Sequence, residues 1–102
     1  MDRIDGMRIF MRVAELGSFA AVARQMDVAR SVITRQIAAL EASVGVRLIA
    51  RSTRNLSLTA AGAAYLERCR EILKLLEAAE ADLAGERQEP RGLIRSEERR
   101  VG

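Results

Sequence analysis

The sequence predicts a mainly α-helical fold: three helices, a short two-stranded hairpin, and a long fourth helix. Three observations carry this. Apolar residues recur at helical spacing through most of the chain. The sequence has only one Pro, Ala and Leu dominate it, and Gly17, Gly45 and Gly85 fall where periodic stretches stop. Aromatic residues are only 3% of the 102 residues and Trp is absent, which argues against an all-β core.

The first segment places Ile4, Met7, Phe10, Met11 and Ala14 on one helical face. Asp2 is read as its N-cap, with Asp5 three residues on, both at the positive end of the helix dipole. Gly17 stops it. Ser18 then caps a short second helix whose apolar face is Phe19, Val22, Ala23 and Met26. Asp27, Val28 and Ala29 interrupt the pattern. A third helix follows, with Ile33, Ile37, Leu40 and Val44 at spacings of 4, 3 and 4, and Gly45 at its end. Its opposite face carries Ser31, Thr34, Arg35, Ala38 and Ala42, within about 100° of arc, with Arg30 at the helix start.

Residues 46–50 and 56–58 are short and apolar-rich, and the RSTRN stretch between them reads as a polar turn, so the pair is expected to form a hairpin. Thr59 caps a long helical run to about Gly85, which is about 39 Å at 1.5 Å per residue. Gly62, Tyr65, Cys69, Ile72, Leu76, Ala79 and Leu83 repeat along it at alternating spacings of 3 and 4, a heptad seam. Leu66, Leu73 and Leu75 widen the stripe. The helix is therefore expected to pack on the first domain at its start and on a second copy further along, through Tyr65, Cys69, Ile72, Leu76, Ala79 and Leu83. Beyond Gly85 the composition becomes that of a linker. The expected organisation is 1–58 as one domain, 59–85 as a dimerisation helix, and 86–102 as linker and unstructured end.

Charge and absences bound the function. The sequence has no His and one Cys, which removes His-based general bases, catalytic triads, most zinc sites and intrachain disulfides. No constellation supports an enzyme or a metal or cofactor site. No apolar run is long enough for a membrane span or signal segment, which makes the cytoplasm the expected compartment. The net charge of +3 hides an uneven distribution: residues 28–55 hold five Arg and one acid, Glu41. Such a local excess suits a polyanion.

Two helices joined by a tight turn, the second followed by a hairpin, make a winged helix-turn-helix. Ser31, Thr34, Ala38 and Ala42 leave the third helix slim enough for a DNA major groove about 12 Å wide. Arg30, Ser31, Thr34 and Arg35 are the candidate base-reading residues, since an Arg fork matches the guanine edge and hydroxyls bond bases or phosphates. Arg51, Thr53 and Arg54 in the wing suit phosphate contacts, which fix register. The amides opening the second helix, at Ser18 and Phe19, are a further phosphate seat. A rival reading is a coiled-coil and winged-helix module that binds protein instead. The Arg concentration in 28–55 separates the two, because a protein-binding wing need not be Arg-lined.

The stretches MRIF (7–10), VAELGSFAAVA (13–23), SVITRQIAAL (31–40), EASVGVRL (41–48), RSTR (51–54) and LSLTAAG (56–62) together resemble the N-terminal DNA-binding domain and linker helix of LysR-type transcriptional regulators. The resemblance extends from residue 1 to about 92. It implies a third helix in the major groove, a wing on the DNA backbone, a homodimer through the long helix, and an interrupted inverted repeat as the double-stranded DNA target. Members of the family are usually inducer-responsive, through a small-molecule effector domain of periplasmic-binding-protein type that follows the linker, and often form tetramers through it. This sequence departs twice. Ala29 and Arg30 stand where the family usually has a Ser cap and Gln. The lost cap costs about 1 kcal/mol unless Ser31 caps one turn later, and Arg30 alters base preference. After about Ile94 the family's strand pattern is not followed, and the chain reads as truncated before the effector domain, so no inducer site is expected within it.

Overall fold

The computed structural model describes residues 3–51 and 56–88. Four helices and one hairpin follow in the order α1 (Arg3–Leu16), α2 (Phe19–Met26), α3 (Arg30–Val44), β1 (Ile49–Arg51), β2 (Leu56–Leu58) and α4 (Ala60–Gln88). The expected N-cap Asp2 and the expected end segment past Gln88 lie outside the described residues. The chain divides into two compact units, Met1–Arg70 and Glu71–Gly102. The first unit thus takes in the start of α4 as well as residues 1–58, and the boundary falls inside that helix.

The turns are where the residue types require them. Gly17, at φ +67°, donates its amide to the Val13 carbonyl at 2.8 Å and ends α1. Ser18 sits extended at the head of α2 and its side chain accepts the Ala21 amide. Asp27 ends α2 in the left-handed region at φ 58°, a conformation that Asp tolerates better than bulkier residues. The Val28 amide then reaches back to the Ala23 carbonyl at 3.0 Å. This closes the α2–α3 turn in three residues, so the two helices enter the core from fixed directions.

α1 packs on both α2 and α3, and α2 packs on α3. The core between them is built from Met7, Ile9, Phe10 and Val13 of α1, Phe19, Val22 and Ala23 of α2, and Ile33, Ile37 and Leu40 of α3, all buried. Leu48 and Ile49 enter from the start of the wing, and Leu66 and Cys69 from α4. Each fully buried side chain of this size contributes about 1.5–3 kcal/mol of burial free energy. No polar or charged residue is buried among the described residues.

The hairpin is antiparallel, pairing Ile49 with Leu58, Ala50 with Ser57, and Arg51 with Leu56. Arg51, expected in the turn, is the last residue of β1. The first strand is shorter than the 46–50 stretch suggests, because Arg47 and Leu48 are held by Glu41 and Thr59 and not by the ladder. The Thr59 amide donates to the Leu48 carbonyl and its hydroxyl to the Arg47 carbonyl at 2.7 Å. The same hydroxyl accepts the Gly62 amide at 2.9 Å, capping α4 as expected. A Cβ on Gly62 would lie 2.0 Å from the Leu48 carbonyl oxygen, so this position in α4 requires glycine for close backbone approach. Its place in the apparent seam has that steric cause.

The seam itself divides. Cys69 is fully buried in the core of the first unit, and Tyr65 is half-buried against it, with its ring 5.7 Å from that of Phe10. These two residues pack within their own protomer instead of lying open for a partner. Ile72, Ala79 and Leu83 are exposed and Leu76 is half-buried. Heptad spacing records which residues share a helix face, and does not distinguish a face on the core from a face on a partner.

Candidate nucleic-acid interface

α3 buries Ile33, Ile37 and Leu40 on one side, which turns Arg30, Ser31, Thr34, Arg35 and Ala38 to the other. These five residues line one open depression on the surface of the first unit. All four candidate base-reading residues are therefore brought together. The Thr34 hydroxyl donates to the Arg30 carbonyl at 3.2 Å, a back-bond along the helix. Arg30 and Arg35 are exposed.

The start of α3 has no side-chain cap. Ala29 occupies the N-cap in an extended conformation, and Ser31 lies inside the first turn without taking over the role. The helix gains only the Val32 amide bond to the Ala29 carbonyl, at 3.0 Å. The absent cap costs about 1 kcal/mol.

A second open depression continues from the first, sharing Ala38, and runs past Glu41, Ala42, Gly45, Val46 and Arg47 to Arg51. Ala38 and Ala42 keep this surface low. Four guanidiniums, those of Arg30, Arg35, Arg47 and Arg51, thus line a continuous face from the head of α3 to the wing. Among the described residues, Glu41 is the one carboxylate lining it, and its side chain is only 11% exposed. Its Oε2 accepts the amides of Leu48 at 2.8 Å and Ile49 at 3.0 Å, and lies 3.7 Å from Arg47 Nε. The face presented to solvent is accordingly cationic.

Of the candidate phosphate contacts, Arg51 is exposed and its guanidinium stands over the Phe19 ring, 5.2 Å from the centroid. This cation–π contact ties β1 to the head of α2. Phe19 is buried, so it offers only its backbone amide to an anion. The Ser18 hydroxyl is engaged with the Ala21 amide, which leaves the amides of Phe19 and Ala20, ahead of the first intrahelical bond, as the donors at this end. Thr53 and Arg54 lie outside the described residues.

Two residues of this face escape sequence reasoning. Glu41 is there only the single acid among the five Arg of residues 28–55, because its i+7 and i+8 bonds to backbone leave no local pattern. In the sequence Arg47 could equally serve an ion pair, and it is not among the candidate site residues. It does pair with Glu41, but it also donates to the Ile49 carbonyl at 3.3 Å and remains 65% exposed on the cationic face. Away from this face, burial pushes the Cys69 thiol and the Tyr65 phenol to higher pKa, keeping both neutral in the core. No group of His, Cys, Asp or Glu among the described residues could hold a metal ion. No helix among them is long and apolar enough to cross a membrane.

Residues 4–63 match the family of bacterial regulatory helix-turn-helix proteins of LysR type. The transcriptional regulator CrgA of Neisseria meningitidis is 39% identical over 89 residues, which are 87% of this chain and 30% of CrgA. Among solved structures, the CbnR DBD–DNA complex superposes with a TM-score of 0.77 at 42% identity, covering 83% of this chain and 97% of that one. Full-length CbnR with its target DNA gives a TM-score of 0.73 at 43% identity, covering 84% of this chain and 29% of CbnR. The chain therefore spans less than a third of the full-length relatives it matches, the part that holds their winged helix. By this match of sequence and architecture, the chain belongs to the LysR family of bacterial helix-turn-helix regulators.

Proposed function

We propose that the chain binds double-stranded DNA in a sequence-specific manner as a homodimer, with α3 in the major groove and the wing on the sugar-phosphate backbone. The observation that carries this is the continuous face of Arg30, Arg35, Arg47 and Arg51, on which the carboxylate of Glu41 is turned into the protein by backbone amides. A groove-entering helix needs a slim surface with long cationic arms, and α3 has both. Arg30 and Arg35, with Ser31 and Thr34, read base edges. Arg51, Thr53 and Arg54, with the amides of Phe19 and Ala20 at the Ser18-capped head of α2, hold phosphates. The likeness to the CbnR DBD–DNA complex supports the same role for this surface.

A two-fold dimer reads two half-sites, so the target is an interrupted inverted repeat. The exposed Ile72 and Leu83 of α4, with Leu76 and Ala79, supply the dimer contact. A full-length protein of the relatives' size would carry its small-molecule inducer site, and any tetramer contact, outside this chain. Such a regulator works in the cytoplasm, where bacterial DNA lies.

The test is a salt titration of binding to duplexes recovered by selection from a random pool. Each phosphate contact contributes about −0.9 to the slope of log K against log salt, so a slope of about −3 or steeper is expected. A flat slope, or no binding at low salt, would remove the DNA reading in favour of a protein-binding module.

A further inference from the structure

The carboxylate of Glu41 joins two parts of the cationic face that the chain itself connects only through a bend. Glu41 lies on α3, one turn after Ala38, and its Oε2 receives the amides of Leu48 and Ile49 at the root of β1. Arg47 precedes these amides, and its Nε lies 3.7 Å from the same oxygen. Arg51 follows two residues after Ile49. From the other side, the Thr59 hydroxyl and amide hold the carbonyls of Arg47 and Leu48, and the missing Cβ of Gly62 lets the α4 backbone approach the Leu48 carbonyl. The root of the wing is thus clamped between α3 and the head of α4, and Glu41 is the clamp on the α3 side.

We propose that Glu41 is a positioning residue for DNA binding: it sets the distance between the base-reading face of α3 and the cationic Arg47 and phosphate-contacting Arg51 at the root of the wing. This rests on the DNA-binding reading above. It also predicts a result opposite in sign to simple electrostatics. A carboxylate on a DNA-facing surface repels phosphate, so its removal alone should tighten binding. If Glu41 acts through its acceptor oxygen, removing that oxygen should weaken binding in spite of the more positive charge.

Three variants separate charge from acceptor. Glu41→Gln removes the charge and keeps an oxygen at the same reach. Glu41→Asp keeps the charge and shortens the reach by one methylene. Glu41→Ala removes both. Binding to a selected duplex is measured as a function of salt, with circular dichroism confirming the helical content of each variant. Glu41→Gln is expected to bind as well as wild type or better. Glu41→Asp and Glu41→Ala are expected to bind about eightfold more weakly at 0.1 M salt for each phosphate that the displaced wing no longer reaches, with the salt slope shallower by about one for each such phosphate. Their ranking among single-base variants of the duplex should stay as in wild type. If Glu41→Ala fails to fold, Glu41→Asp carries the comparison. Equal tightening by Gln and Ala, with Asp unchanged, overturns the proposal while leaving DNA binding in place. Absence of salt-dependent binding by the wild type overturns the DNA reading and this inference with it.

Discussion

Arg35 occupies the middle of the exposed face of α3, between Ser31 and Ala38, in a depression that no carboxylate lines among the described residues. A guanidinium in that place can offer a two-pronged fork to a guanine edge. Arg35→Ala is expected to weaken binding to a selected duplex by about 1–3 kcal/mol and to relax preference at one base position. Competition with single-base variants of the duplex checks this. Arg51→Ala should instead weaken all sequences alike, since a phosphate contact carries no sequence information. Should Arg51→Ala relax specificity while Arg35→Ala does not, the two roles are reversed. These surface positions are legible in the sequence, because the polar face of α3 follows from the places of Ile33, Ile37 and Leu40. Glu41 is not, because its partners are the backbone amides of Leu48 and Ile49, and no side-chain pattern announces a bond to backbone. For Cys69 and Tyr65 the helix face is legible, but which surface that face meets is settled by tertiary packing.

At the scale of elements, the helices and their stops can be read from residue chemistry: Gly17 and Gly45 in left-handed conformations, Ser18 and Thr59 as caps. The wing is harder, since three-residue strands carry almost no periodicity and its root is fixed by contacts from α3 and α4. Gly62 is the clearest case. By spacing it belongs to the seam, yet it is there because the Leu48 carbonyl occupies the space a Cβ would need. Gly62→Ala must push backbone against backbone, and overpacking of this kind costs about 1–3 kcal/mol or more. The midpoint of thermal unfolding should drop by at least about 4 °C. Gly85→Ala is the matching control. It lies in the same helix with nothing within 4 Å of the added carbon, so Ala should stabilise by about 0.5–1 kcal/mol. Equal melting temperatures for the two variants would show that the α4–wing contact does not hold the root of the wing in place.

For the whole molecule, the decisive question is what the exposed apolar residues of α4 meet. In the second unit, Ile72, Leu75 and Leu83 are exposed at 43%, 72% and 61%. Ile72, Leu76, Ala79 and Leu83 fall within about 60° of arc around the helix. Exposed apolar side chains such as Ile72 and Leu83 along one stripe are costly in water, and a second copy offers the same stripe in return, which is the geometry of a two-fold contact. The charge distribution agrees with this division of labour, with Arg gathered in residues 28–55 and acids outnumbering bases from 61 to 85. The DNA-facing part is cationic, and the helix assigned to self-association has no such bias toward phosphate. Leu76→Asp places a carboxylate in the middle of the stripe, where a partner helix would have to desolvate it. Sedimentation should then give a species of one chain's mass, 11.2 kDa, where wild type gives twice that. Glu77→Lys changes charge about 100° away from Leu76 around the helix and should leave the dimer intact. Monomeric Leu76→Asp is further expected to bind a single half-site with unchanged base preference, because α3 and the wing belong to the other unit. A Leu76→Asp protein that remains dimeric would move the self-association surface off this stripe.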